Sequence, residues 1–243
     1  MPRISLQIIA LAALVAACKQ PDNQPDKQPD TRTASAAATA TTTAATAAGN
    51  VAPGAVANDT ISDRADRGRL LGDTNAKVWV IMASDFQCPF CKQWHDNAFQ
   101  GLLKNYVNTG KVRLAFLNVP LSIHPNAVPA SEAAMCASIQ DKFWPVHEAL
   151  FATQKDWENL ANPDSALTAI VKKTGVDVGK WTPCYKGHLT RPLIQADHDR
   201  AIQQHVNSTP TFFIGDQVLA GADVDVPAAI EAALKARAKK PGN

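Results

Sequence analysis

Two cysteines at Cys88 and Cys91, spanning Pro89 and Phe90, form the only C-x-x-C motif in the 243-residue chain. Pro89 suits the first turn of a helix, where a missing N–H costs nothing, and this puts Cys88 at the N-cap. Free backbone N–H groups and the positive end of the helix dipole favour an anion there, so the Cys88 thiol should ionise more readily than an ordinary cysteine. Cys91 lies three residues on along the same helix face, within reach of the first sulfur and shielded by the first turn. One sulfur of such a pair exchanges with an incoming thiol or disulfide and the other resolves the mixed disulfide. The same motif could be half of a zinc knuckle or a plain structural disulfide. A zinc site of that type needs a second closely spaced pair, and the sequence has none.

These two residues need a strand-to-helix junction. The segment 77–84 is apolar and β-branched at a strand's length, and Asp85-Phe86-Gln87 then turns into the helix. Phe90, Trp94, Ala98, Leu102 and Tyr106 recur every fourth residue, which marks the buried face of a helix running to about Asn108. A second buried strand is expected over 111–117, parallel to the first because a crossover of this length is right-handed. A lead-in helix is expected at 63–71. From 120 to 206 apolar residues recur at helical spacing, giving helices at 125–140, 143–154, 163–173 and 185–206, with Pro145 an obstacle inside the second. Strand chemistry returns at 211–214 and 217–220 around a Gly215-Asp216 turn, an antiparallel hairpin, before a last helix from 227 to 239. Trp94, Phe143 and Trp144 are assigned to the core.

The first sixty residues have another character. Arg3 and an apolar run to Ala17 form a signal-peptide pattern, and Val15-Ala16-Ala17-Cys18 looks like the lipobox of a bacterial lipoprotein, with Cys18 as the lipidated N-terminus of a bacterial cell-envelope protein. The alternative is cleavage elsewhere, with Cys18 a spare thiol. Residues 19–58 repeat Gln-Pro-Asp and then run in Ala and Thr, too poor in large apolar groups to offset chain entropy. Read as a flexible tether of about forty residues, they reach about 35 Å. The expected organisation is therefore signal peptide and lipobox 1–18, tether 19–58, and a folded part in three sections, 59–119, 120–206 and 207–243. A net charge of +2 and the lack of a basic stripe with interleaved aromatics exclude nucleic acid as a natural partner.

Setting aside Cys18, four cysteines remain, an even number suited to an oxidising compartment. Of three connectivities, Cys88 with Cys91 and Cys136 with Cys184 is favoured, because the C-x-x-C explains itself locally. Free buried thiols at 136 and 184 are the alternative. His95, four residues after Cys91, and His124 are the histidines able to approach the sulfurs. His147, His188, His198 and His205 lack a metal-ligand spacing, so no metal is expected.

The order strand, Cys-Pro-Phe-Cys helix, strand, helical block, Thr-Pro, hairpin, last helix resembles the DsbA-like branch of the thioredoxin superfamily. The match is carried by 85–91, His124-Pro125, Cys136-Ala137, Phe143-Trp144 with 147–151, and Ser208-Thr-Pro-Thr-Phe-Phe-Ile-Gly215, and it spans about 62–238. The resemblance implies an α/β thioredoxin fold with an inserted helical domain, a cis proline at Pro210 beside the cysteines, and substrate pairing by the backbone of Thr209. It implies a monomeric protein thiol-disulfide oxidoreductase without a bound cofactor. Its partners would be unfolded or reduced exported proteins and a membrane quinone-linked thiol oxidase that restores the disulfide. The family's acidic residue six positions before the first cysteine is replaced by Met82, leaving Asp85 as the nearest acid. DsbA proper has histidine where this chain has Phe90, so one stabiliser of the thiolate is missing. A disulfide reductase, an isomerase, or a lipid-anchored binding module or metallochaperone would use the same residues.

Overall fold

The computed structural model describes residues 60–239. Cys18, the signal-peptide pattern and the tether lie outside the described residues. Five strands form one sheet in the order β1-β3-β2-β4-β5. β2 (Val78–Ser84) is central, parallel to β3 (Val112–Asn118) and antiparallel to β4 (Thr211–Ile214). β5 (Gln217–Ala220) extends the hairpin at one edge, and β1 (Leu70–Leu71) closes the other, antiparallel to β3. β3 alternates buried and half-buried residues, the pattern of a strand with one face in the core. α10 (Val226–Ala238) packs on β2 and β4.

The redox helix leaves the C-terminal end of β2. It opens as α2 (Pro89–Trp94), passes through a π-helical turn at His95–Phe99 and α3 (Gln100–Leu102), and ends in a second π-helical turn at Leu103–Val107. The four-residue apolar spacing gives no sign of these two widened turns. Trp94 packs against Phe212 of β4 with ring centroids 4.6 Å apart, which fixes the helix to the sheet just below the cysteines.

Between β3 and β4 the chain is helical throughout: α4 (Ala127–Ser138), α5 (Phe143–Ala152), α6 (Gln154–Trp157), α7 (Asp164–Lys173), α8 (Val178–Lys186) and α9 (Arg191–Gln203). α4 is the hub. Every residue from Ala130 to Ser138 is buried, as a helix wrapped on all sides requires, and its small side chains let α1 (Ile61–Gly68), α5, α7, α8 and α9 approach. Trp181 of α8 closes over it, donating its indole N–H to the Ala133 carbonyl.

Three expectations need correction. The lead-in segment is a helix only over α1 (Ile61–Gly68), started by a Thr60–Asp63 capping box, and Leu70–Leu71 is strand. A side-chain carbon at Gly68 would stand 2.3 Å from the Ser138 hydroxyl, and Arg69 turns inward to the buried carboxylate of Asp197. The expected helix 185–206 is two helices. His188 at φ 52° breaks the chain after Gly187, and Pro192 begins α9 anew. α8 itself escapes the sequence reading because Pro183 sits inside it. Finally, α5 stops at Ala152, with α6 a separate turn, while Pro145 falls in the first turn of α5 and costs nothing there.

Candidate active site

The strand end and helix start act together on Cys88. It is the N-cap of α2, with extended backbone (φ −68°, ψ 125°) and Pro89 following at the first helical position. Gln87 N–H donates to Asp85 Oδ1 at 2.7 Å, holding the turn that delivers the chain from β2 into the helix. The helical region clamps this turn from above. Gln154 Nε2 donates to the carbonyls of Phe86 and Cys88, Gln87 Nε2 donates to the Glu158 carbonyl, and Gln87 Oε1 accepts from the Asn126 N–H. Phe86 stacks on Phe116 of β3 at 4.9 Å, burying the side of the turn that faces the sheet.

Cys88 and Cys91 are free thiols in this structure. Both are buried, Cys88 at the helix start as much as Cys91 behind it, at 3% and 2% accessible. They differ in their electrostatic surroundings. The Cys88 thiol is pulled down to about 6, first by the hydrogen bond from the Cys91 thiol, then by Thr209 and the backbone N–H groups of Cys91 and Phe90, against the opposing effect of burial. Cys91 is pushed well above the ordinary thiol range by burial and by the neighbouring Cys88 sulfur, despite hydrogen bonds from Ser84 and the Asp85 N–H. The helix start contributes, but the second thiol of the motif is the larger cause.

The Thr209–Pro210 peptide is cis and places the Thr209 carbonyl 3.4 Å from Cys88 Sγ. Thr209 is buried, with a hydroxyl that has no protein partner. Phe90, expected on the buried face of the helix, is instead 60% exposed, because it lies in the first turn beside the cysteines. Ile123 is also exposed, and with Pro89 and Leu160 it lines a groove of about 560 Å³ running from the motif along the helical region.

Asp85 is fully buried and hydrogen-bonded from three sides. Its Oδ2 accepts from the Leu121 N–H at 2.9 Å and pairs with His124 Nδ1 at 2.7 Å. Burial raises its carboxyl above the usual carboxylate range, and those donors oppose the rise. Met82, at the position where the resemblance leads one to look for an acid, is buried in the core. His95 stacks on Phe99 and Phe151 and pairs with Asp96, and these contacts include neither sulfur. Sequence reasoning missed Gln87, Asn126 and Gln154, because uncharged amides dispersed over seventy residues carry no spacing signal. It also missed His147, which lies against His95 at 5.4 Å between ring centroids.

Cys136 and Cys184 are disulfide-bonded, with Cα atoms 5.8 Å apart, and join α4 to α8. Among the described residues no helix is long and apolar enough to cross a membrane.

The family model for thioredoxin matches residues 64–236, the whole of the sheet and nearly all of the helices. The probable disulfide bond formation protein D of Bacillus cereus is 28% identical over 195 residues, covering 75% of this chain and 90% of that protein. The crystal structure of oxidised BdbD from Bacillus subtilis superposes with a TM-score of 0.62 at 27% identity, covering 70% of this chain and 94% of that one. Wolbachia pipientis α-DsbA1 shares the fold with the same TM-score at 23% identity, over 70% of this chain and 93% of its own. With its cysteine pair at the head of the helix after the central strand, the chain belongs to the thioredoxin family, as a DsbA-like protein thiol-disulfide oxidoreductase.

Proposed function

We propose that the protein works as an oxidant, passing a Cys88–Cys91 disulfide to exported proteins. The observation that carries this reading is the asymmetry of the two thiols, one held near pKa 6 and the other pushed up. A disulfide is a stronger oxidant when its reduced form is stabilised, and a low-pKa sulfur is the better leaving group. A substrate thiolate attacks Cys88 Sγ, forming a mixed disulfide and breaking the Cys88–Cys91 bond, and Cys91 leaves and takes up a proton. A second substrate thiolate attacks its own sulfur in the mixed disulfide. The substrate disulfide forms, and the Cys88 thiolate departs with the second pair member already reduced. Two electrons have then moved from substrate to protein.

Thr209 is the substrate-positioning residue in this scheme, because its backbone carbonyl borders Cys88 and would pair with an extended segment. Asp85 and His124 form the nearest ionisable pair, and Asp85 reaches Cys91 through its backbone N–H. We assign them to positioning and proton exchange at Cys91. Phe90 offers an apolar contact to unfolded chains and no stabilising charge. The Cys136–Cys184 bond is structural. The envelope location, the lipid at Cys18, the tether, the monomeric state and a membrane quinone-linked thiol oxidase as reoxidant complete the reading and rest on the sequence.

Labelling of the reduced protein with limiting iodoacetamide near pH 7 tests the nucleophile. Cys88 should carry the label, and preferential labelling of Cys91 overturns the assignment. Mass spectrometry of the membrane fraction tests the anchor, which should appear as an acylated N-terminus at Cys18. A soluble mature chain beginning elsewhere removes it.

A further inference from the structure

One turn behind the cysteines the redox helix meets α5, and three potential ligands converge there from two elements. His95 comes from the π-helical turn, and His147 and Glu148 from α5. One donor atom of each lies within 4.8 Å of the others, and His95 Nε2 is 3.6 Å from Glu148 Oε2. Donor atoms sharing a tetrahedral zinc stand roughly 3.3 Å apart, so side-chain adjustments of about 1 Å would close the set.

The buried nitrogens point the same way. His147 is completely buried in a nest of aromatic rings, and neither of its ring nitrogens has a protein partner, nor does His95 Nε2. An unpartnered imidazole among Phe86, Phe99, Phe143 and Phe151 is costly to keep unless something binds it. An outer layer is present too. Asp96 Oδ1 lies 3.2 Å from His95 Nδ1, leaving Nε2 as the outward lone pair, and Gln100 Nε2 donates to both oxygens of Glu148. A π-helical turn beginning at His95 is the kind of local widening that recurs at binding sites.

We propose that His95, His147 and Glu148 form a divalent transition-metal site, suited to zinc, that joins the redox helix to the helical region. Two imidazoles and a carboxylate with no thiolate suit borderline divalent ions, zinc among them, and three protein ligands leave a fourth position open.

The test uses the oxidised full-length protein, so that Cys88 and Cys91 are closed as a disulfide and offer no thiolate. Cobalt(II) titration should show the visible absorption of a low-coordinate site saturating at one equivalent, displaced by zinc. Glu148→Gln and His147→Phe should each abolish it, and Asp96→Asn should weaken it about tenfold. His147→Phe replaces one buried ring by another and is expected to fold. Should it not, Glu148→Gln on the half-exposed rim decides alone. Absence of cobalt absorption in the parent, or a one-equivalent signal that Glu148→Gln leaves unchanged, overturns the proposal.

Discussion

The chain holds two cysteine pairs in opposite circumstances. Cys88 and Cys91 are three residues apart at a helix start, while Cys136 and Cys184 are 48 residues apart, each near the C-terminal end of one of two packed helices. Access does not separate them, because all four are buried. Their surroundings do. The first pair is ringed by directed polar groups: the Thr209 carbonyl, the Asp85 N–H, the Ser84 hydroxyl and the first amides of α2. The second joins the alanine-rich hub helix to α8, and Cys136 Sγ lies 3.7 Å from the Thr190 hydroxyl. In the proposed mechanism, reactivity follows from hydrogen-bonding asymmetry around a sulfur and not from its exposure.

The sharpest way to break that contrast is to exchange the pairs' roles by mutation. Cys88→Ser should reduce disulfide formation in a reduced, unfolded substrate to background, and Cys91→Ser, given a substrate that already carries a disulfide, should accumulate a mixed disulfide that gel electrophoresis without reductant detects, because the Cys88 thiolate breaks the substrate bond and no Cys91 remains to displace it. The double change Cys136→Ser with Cys184→Ser should leave turnover in place. Retained turnover without Cys88, or its loss without Cys136 and Cys184, would dissolve the distinction.

The structural pair should instead appear in stability. Closing a loop of 48 residues constrains the unfolded chain by about 4 kcal/mol in the entropy model, so the double serine variant should lose up to that amount in denaturant unfolding. Loss of well under 1 kcal/mol would mean that the packing of α4 against α8 already fixes the loop.

A third measurement addresses the thiol asymmetry itself. Below pH about 6 both thiols of the reduced protein carry protons, and above it Cys88 does not. The reduction potential should therefore fall by about 59 mV per pH unit on the acid side and by about 30 mV per unit above, with the bend near the Cys88 pKa. Linkage carries the same sign. A thiol whose pKa is depressed on folding stabilises the reduced form fully above the ordinary thiol pKa, and that contribution disappears as pH falls through about 6. The melting temperature of reduced minus oxidised protein should follow this course, and a difference independent of pH between 5 and 9 would refute the depressed pKa.

The smallest effect is expected at Phe90. Phe90→His adds a donor beside the thiolate, and one pKa unit is about 30 mV for a two-electron couple, so the potential should rise by tens of millivolts. The Cys88 pKa should fall with it. The parent should lie above thioredoxin, about −270 mV, and below DsbA, about −120 mV, by equilibration with glutathione. A parent at or below the thioredoxin value would turn the protein into a reductase.

Much of this site is legible from residue order, since the chemistry is local. Cys88, Pro89 and Cys91 declare a helix start by themselves, and the hairpin at Gly215-Asp216 declares its turn. What escapes is long-range or depends on an exception to local preference. Leu70–Leu71 is too short to show alternation and becomes strand only because β3 offers an edge. Pro183 forbids α8 on propensity, yet packing of Trp181 and Tyr185 retains it. The amides that clamp the Cys88 turn, and the Arg69–Asp197–Asn118 cluster, join residues whose proximity is created by the fold.

The position of β2 has a consequence for how the chain reaches this state. Its one side is completed by β3, a short crossover away, but its other side is completed by residues 211–214, which follow the whole helical region. A chain emerging from its N-terminus must therefore carry Val80, Ile81 and Met82 with an open strand edge, next to two reduced thiols, until Thr211–Ile214 arrive. Such long-range pairing slows folding and exposes an aggregation-prone edge. The enzyme that handles unfinished proteins passes through the same vulnerable interval itself.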